Sequence, residues 1–221
     1  MSSRWSLKGK VAIVTGGSKG IGRAVALELA NLGAEVLAIA RGQESLDELT
    51  TTAAYKNLVI HGASIDLGKA HAHEDLLGAA IGKWGRLDIL INNVGCNIRK
   101  SIQSYSPEEV EQIFATNLMS AFDLSRRAYP YFKSAGAGAI VNVSSVAGLT
   151  ALRTGTPYAM TKAAMIQMTK NMASDWGPEN IRVNCVAPWF IETPLTKPVL
   201  SRSADLAAII ARTPMRRIGT A

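Results

Sequence analysis

Apolar and polar positions along the chain switch repeatedly between two patterns. Residues 10–15, Lys-Val-Ala-Ile-Val-Thr, form a short apolar and β-branched run, the pattern of a strand buried on both faces. Residues 23–32 then carry a helical pattern (Val25, Leu27, Leu29, Leu32), and Gly33 supplies a C-terminal stop. The alternation continues with a second strand at 35–40, a helix through 44–49, a third strand at 57–61, a helix over about 69–84 and a fourth strand at 86–91. Ser106-Pro107-Glu108-Glu109 is a helix start, with a capping serine, a first-turn proline and acids at the positive end of the dipole. That helix is expected to run to about 133. A fifth strand at 139–143, a helix over 157–176, a sixth strand at 180–186 and a helix at 203–212 complete the series. Strands and helices alternating in this way predict an α/β fold, a doubly wound parallel sheet with helices on both faces.

In such sheets ligands bind at the carboxyl ends of the strands, and the unusual polar clusters fall there. The first strand breaks at Gly16-Gly-Ser18-Lys19-Gly20-Ile21-Gly22. Glycines between a strand and a helix allow a tight turn and bring a diphosphate against backbone N–H groups. The same glycines would also serve a plain turn and a close helix–strand packing. A dinucleotide site that prefers a free 2′-hydroxyl carries an acid at the end of the second strand, whereas here that strand ends Ile39-Ala40-Arg41. Lys19 and Arg41 are placed to meet a 2′-phosphate, with Ser18 as a hydrogen-bond donor, which favours NADP(H). Asp66, beyond the third strand, either faces the adenine or caps the following helix.

The fifth strand delivers Ser144 and Ser145 to its end, and a loop leads to Tyr158 and Lys162 at the start of a helix. Their i,i+4 spacing puts both side chains on one helix face. A phenol beside an ammonium ionises more easily, because the cation favours the phenolate. With a serine hydroxyl to hold a carbonyl oxygen, these are parts for interconverting a ketone and an alcohol.

At 221 residues the chain suits one domain with a substantial core, 1–221, with a substrate loop at about 188–215. A hydrophobic content of 48% against 19% charged excludes a disordered protein. The net charge of +7 is carried by scattered residues with no run longer than the pairs Arg126-Arg127 and Arg216-Arg217, so it argues against a nucleic-acid binder. It suits a phosphorylated cofactor or an acidic carrier equally well. Two cysteines, Cys96 and Cys185, give no disulfide framework, and neither a signal core nor a membrane-length apolar run is visible. A cytoplasmic protein with no membrane partner is the expectation. His71-x-His73 with Glu74 and Asp75 has the composition of a metal site but lies on a helix away from the strand ends, where a solvated face is expected and no metal.

The chain resembles the short-chain dehydrogenase/reductases over about 4–219. The resemblance rests on Thr15-Gly-x-x-x-Gly-x-Gly22, Asn92-Asn-x-Gly95, the helix asparagine Asn117, and Ser145 twelve residues before Tyr158-x-x-x-Lys162. The spacing selects Ser145 over its neighbour Ser144. Arg4-Trp-Ser-Leu-Lys-Gly-Lys10 and Ala187-Pro-Trp-Phe-Ile-Glu-Thr-Pro-Leu195 further resemble the plant tropinone-reductase-like branch. The resemblance implies a Rossmann fold with Tyr158 as general acid/base. Lys162 lowers its pKa and holds the nicotinamide ribose, Ser145 orients the carbonyl, and Asn117 supports a proton relay. It also implies that Asn93 to Gly95 line the nucleotide while Pro188, Ile191 and Thr193 flank the nicotinamide end. Dimers or tetramers through the helices at 107–133 and 157–176 are expected.

Two departures stand out. Many relatives have Pro-Gly after the sixth strand where this chain has Pro188-Trp189; the tryptophan either walls a pocket or packs within its loop. Relatives also continue past the position of Gly219 with a helix and a final strand. A chain shortened at its C-terminus, lacking that strand and less stable and active than a full-length relative, is the expectation. Cys96 is expected in the substrate cleft, with nothing nearby to activate it. Asn97, Ile98, Leu152, Arg153, Trp189 and Phe190 are further substrate-facing candidates, an apolar set with one cation that suits a bulky or ring ketone. The favoured reading is an NADPH-dependent ketone reductase acting on a small molecule. The alternatives are a 3-oxoacyl-(acyl carrier) reductase and a non-catalytic NADP-binding protein.

Overall fold

The computed structural model describes residues 4–69, 71–153 and 155–221; Ala70, inside the predicted third helix, and Thr154, in the loop before Tyr158, lie outside them. Six strands, β1 (Val11–Thr15), β2 (Glu35–Ala40), β3 (Ile60–Ser64), β4 (Ile89–Asn92), β5 (Gly138–Val143) and β6 (Ile181–Val186), form one sheet in the order β3-β2-β1-β4-β5-β6. Every pairing is parallel. The order reverses between β1 and β4, which opens a crevice at their carboxyl ends.

Two cores lie on opposite faces of this sheet, because successive strand residues point opposite ways. Ala12, Val14, Val36 and Ala38 meet α1 (Gly20–Asn31) and α2 (Gln43–Tyr55) through Ala26, Ala30, Leu46 and Leu49. Ile13, Leu37, Ile39, Leu90 and Ile140 face the other way. They meet Leu76 of α3 (Ala72–Trp84), Leu124 and Phe132 of α5 (Ser120–Ser134) and Met172 of α6 (Thr156–Trp176). The predicted doubly wound sheet is the one observed.

Several boundaries differ from expectation, helix α2 running on to Tyr55 where 44–49 was expected. The third strand runs over Ile60–Ser64, not 57–61. Asn57 takes φ +55° and the Leu58 N–H bonds Ala53 O, so this stretch closes helix α2. The strand is Ile60-His-Gly-Ala-Ser, a half-exposed sheet edge whose mostly small side chains carry little hydrophobic signal. Residues 86–88 precede β4 because Asp88 gathers Lys10, Arg86 and the Val11 N–H below the sheet. The helix expected over 107–133 starts as predicted, with Ser106 Oγ accepting from the Glu109 N–H and Glu109 returning the bond. It is then interrupted: α4 (Pro107–Phe114) gives way to a π-helical turn at Ala115–Met119 before α5 begins. Such bulges gather at functional sites, and this one is centred on Asn117. Past β6, two short helices, α7 (Lys197–Leu200) and α8 (Ser203–Ala211), lead to a parallel bridge between Ile191 and Gly219.

Burial works to raise the Asp88 pKa. The hydrogen bonds from Arg86, the Val11 N–H and Lys10 outweigh it and hold the carboxyl below its ordinary value. A depressed native pKa gives stability that is present above the unfolded-state value and lost as pH falls through the native one. Asp88→Asn should therefore lower stability by about 2 kcal/mol at neutral pH, the scale of a charge-assisted hydrogen bond. Melting of both proteins from pH 7 downward should show a gap that holds to about pH 5 and narrows below about pH 4.

Candidate active site

The loop after β1 is fastened to the end of β4. Thr15 Oγ1 donates to Ile91 O and accepts the N–H groups of Asn93 and Val94. The Asn93 amide donates back to the carbonyls of Thr15 and Gly16. A Cβ on Gly22 would overlap Gly16 O and the Asn93 amide, so glycine there is a packing requirement between helix and turn. No side chain caps the start of α1 and no acid occupies its first turn. Its positive dipole end is therefore available to an anion.

In front of that helix end lies a cleft of about 460 Å³. Gly16, Ser18, Lys19, Gly20 and Ile21 line it on one side, Arg41, Ser45 and Asp66 at one end, and Asn93, Gly95, Cys96 and Thr193 at the other. The Ser18 and Ser45 hydroxyls, both buried, lie 3.0 Å apart and tie the glycine turn to α2. Lys19 and Arg41 are exposed, and neither has an acidic partner among the described residues. Asp66 borders the cleft and accepts from the Gly68 N–H at 3.1 Å. Of its two readings the helix cap fails, since α3 starts only at Ala72 with His71 before it.

A second cleft of about 110 Å³ shares Ile21, Asn93, Gly95, Thr193 and Leu195 with the first and adds Ser145, Tyr158, Lys162, Pro188, Trp189 and Ile191. Strand β5 and helix α6 meet here through a reciprocal pair of bonds. Ser144 Oγ donates to Lys162 O at 2.7 Å, and Lys162 Nζ donates to Val143 O at 2.8 Å. Ser144 is thus structural. Ser145 starts the 3-10 turn Val146–Gly148, its Oγ accepting from the Ala147 N–H at 3.1 Å. Gly148 lies so close to α6 that a Cβ would sit 2.6–2.8 Å from the main chain of Lys162 and Ala163.

The electrostatics differ from the simple phenol–ammonium pair. Burial pushes the Tyr158 pKa up; a hydrogen bond with Ser145 and the field of Arg99 pull against it, leaving it above the usual phenol value. Lys162 is 4% exposed, and burial lowers its pKa to about 8. Its Nζ stands 5.7 Å from the Tyr158 ring centroid, with one proton committed to Val143 O. Asn117, fully buried, holds the Cys96 main chain from both sides: its Oδ1 accepts from Cys96 N–H at 2.7 Å and its Nδ2 donates to Cys96 O at 2.9 Å. A Cβ on Gly95 would stand 3.3 Å from Asn117 Oδ1 and 3.7 Å from Lys162 Nζ. Asn117 and Lys162 therefore approach one another across Gly95.

The substrate-facing candidates scatter. Trp189 lines the Tyr158 cleft and also packs: its Nε1 donates to Thr213 Oγ1, its ring meets Phe190 edge-on, and Arg212 lies over it. Phe190 faces only an adjoining cleft with Arg212, Met215 and Arg217. Cys96 lines the larger cleft on the glycine-turn side and not the one with Ser145 and Tyr158, and burial pushes its thiol pKa up. Leu152 and Arg153 line a separate cleft with Arg99, Lys100, Gly155 and Thr156, while Asn97 and Ile98 border none of these four clefts. His73 departs from the expected solvated face: its side chain is 13% exposed and its Nδ1 sits 3.2 Å from Asp123. Ser45, Arg99 and Gly148 were not anticipated. Arg99 alone carried a signal, since it belongs to the loop at the end of β4.

A model of the short chain dehydrogenase family matches residues 10–204. The chain belongs to that family. It is 47% identical over 217 residues to a tropinone reductase homolog of Arabidopsis thaliana, a match that covers 98% of this chain and 82% of that protein. To a tropinone reductase homolog of Datura stramonium it is 39% identical over 220 residues, covering 98% and 82%. Among solved structures, a putative NAD(P)-dependent gluconate 5-dehydrogenase from Beutenbergia cavernae with bound NADP at low occupancy superposes with a TM-score of 0.93. That match is 30% identical and covers 99% of this chain and 87% of that one. The chain is accordingly an oxidoreductase of CH–OH groups that uses a nicotinamide cofactor and small-molecule substrates, in the tropinone-reductase-like branch. Its residues fit such a cofactor. The uncapped start of α1 and the free cations Lys19 and Arg41 line a cleft that continues into the one holding Tyr158. No helix among the described residues is long and apolar enough to cross a membrane.

The contact at Gly148 is testable. Gly148→Ala should destabilise by about 1–3 kcal/mol, the usual cost of overpacking, and should lower turnover more than cofactor affinity. Thermal melting, cofactor titration and turnover of the variant check this.

Proposed function

We propose that this chain binds NADP(H) and reduces a ketone to a secondary alcohol, with Tyr158 as general acid. The observation that carries the reading is the convergence of Ser145, Tyr158 and Lys162 on a cleft continuous with the one under the glycine turn. Lys19 and Arg41, without acidic partners, favour a 2′-phosphate, and Ser18 and Ser45 offer hydroxyls beside them. Gly16, Gly20, Ile21, Gly22 and Asn93 to Gly95 would hold the diphosphate and its riboses, with Asp66 at the adenine end. Pro188, Ile191 and Thr193 would flank the nicotinamide. When bound, the reduced nicotinamide supplies a hydride to the carbonyl carbon.

The chain's own residues manage the proton. Tyr158 donates its hydroxyl proton to the carbonyl oxygen as that oxygen gains charge, and the Ser145 hydroxyl holds the same oxygen in place. The resulting phenolate is favoured by Arg99 and by Lys162 in its charged form. Asn117 fixes the Cys96 main chain beside Lys162, so the lysine can pass a proton from water back to the phenolate. In the alcohol-to-ketone direction the same groups act in reverse.

Absorbance of the reduced nicotinamide, followed over a panel of cyclic ketones and acetoacetyl thioesters, tests the assignment. Tyr158→Phe should abolish turnover while NADPH affinity stays within about two-fold; retained activity would sink the mechanism. NADPH binding with no turnover on any ketone would favour a non-catalytic NADP-binding protein. Arg41→Ala should weaken NADPH by about ten- to a hundred-fold with little effect on NADH, since one charge-assisted contact carries about 1.5–3 kcal/mol. An unchanged NADPH:NADH ratio would rule out the 2′-phosphate role.

A further inference from the structure

The clefts beside the start of α6 and beyond Trp189 have cationic walls and no acid. Arg99 is half-buried, and its charge pulls the Tyr158 pKa down against burial. It lines a cleft of about 490 Å³ with Leu152, Arg153 and Thr156, and Lys100 borders the same space. On the other flank, beyond Trp189, Arg212 and Arg217 line the adjoining cleft. No Asp or Glu lines the Tyr158 cleft or either of these two, whereas the cofactor cleft includes Asp66. The neighbouring cations differ in how free they are. Lys100 is paired with Glu109 and Arg202 with Asp205, while no ion pair or hydrogen bond of the described residues engages the Arg99 guanidinium.

A half-buried guanidinium without a carboxylate pays for its lost hydration and receives no compensating bond from the fold. Such a group is a recognition element for a planar anion, because its forked donors match a carboxylate in two parallel hydrogen bonds. A cationic ketone would meet Arg99 as a like charge in a partly desolvated space, where repulsion is weakly screened. From this geometry we infer that the chain selects small ketones bearing a carboxylate, and that Arg99 holds that carboxylate while the ketone faces Tyr158. The inference rests on the reductase reading, and it names the charge class of the substrate.

Three ketones of similar size and opposite charge test it with NADPH present: 4-oxocyclohexanecarboxylate, 4-methylcyclohexanone and N-methyl-4-piperidone. The expected order of kcat/KM is carboxylate, then neutral ketone, then amine. In Arg99→Gln the carboxylate-to-neutral ratio should fall by about ten- to a hundred-fold. The ratio is the diagnostic, because any effect of Arg99 on the Tyr158 proton acts on both ketones and cancels. A higher kcat/KM for the neutral or cationic ketone, or a ratio unchanged in the variant, would overturn the inference. So would a preference for acetoacetyl-coenzyme A, whose charges lie on phosphates remote from its ketone. Calorimetry with NADP⁺ present gives an answer independent of turnover. Cyclohexanecarboxylate should bind at least ten-fold tighter than cyclohexanecarboxamide, and Arg99→Gln should erase the difference. Absence of turnover with this preference intact would refute the reductase reading alone; equal affinities would refute the inference alone.

Discussion

One strap between strand and helix governs the reactive end of this molecule. At the end of β5 the Val143 carbonyl accepts the Lys162 ammonium, and the next hydroxyl, Ser144, donates to the main-chain carbonyl of that same lysine. Side chain and main chain of two distant segments thus exchange bonds, in surroundings dry enough to lower the lysine pKa to about 8. The close approach of the turn at Gly148 to the same lysine and to Ala163 packs the two segments together. Because Ser145 follows Ser144 directly and Tyr158 lies one turn before Lys162, the strap sets the separation of hydroxyl and phenol. A hydrogen bond with Ser145 is accordingly one of the two influences that lower the tyrosine pKa against its burial.

The other half of the site obeys a similar logic with neutral groups. Thr15 and Asn93 exchange bonds at the point where the strand order reverses, so the glycine turn cannot move independently of β4. Deeper in the sheet, Asn92 and Asn142 stand opposite one another in register and extend the fastening, Asn92 to Ser125 of α5 and Asn142 to Thr169 of α6. Buried hydrogen bonds of this kind contribute only about 1 kcal/mol each, but leaving one member unpaired costs more. Their consequence is geometric: α5, β4, β5 and α6 hold one relative placement, and the loops at their ends inherit it.

How much of this was legible in the sequence follows from which interactions leave a local trace. The parallel sheet was legible because strands buried on both faces are apolar through their centres, as in residues 11–14 and 36–39. The edge strand Ile60–Ser64 was misplaced by three residues because small, half-exposed side chains leave almost no trace of pairing. The π-helical turn at Ala115–Met119 was invisible, since nothing in a helical pattern marks where one extra residue is accommodated. The glycine turn and the serine, tyrosine and lysine were legible as a constellation of spacings. Ser144 and Gly148 were not, because their roles come from contacts with residues far along the chain; Arg99 showed only its place in the loop after β4.

Arg99 also alters the electrostatic account of the site. A lysine whose pKa has fallen to about 8 is a weak guarantor of positive charge, since its charge drains away as pH rises through that value. Burial lowers the arginine pKa too, but from so high a starting point that the guanidinium stays charged across the working range. Tyr158 therefore retains a cation beside it at pH values where Lys162 is neutral. The same permanence has a cost, because a fixed charge acting on Tyr158 acts equally on any charged substrate brought to it. Together with the absence of acids from the surrounding walls, a device that favours the phenolate necessarily disfavours positively charged substrates. Proton chemistry and substrate choice are coupled here through one side chain.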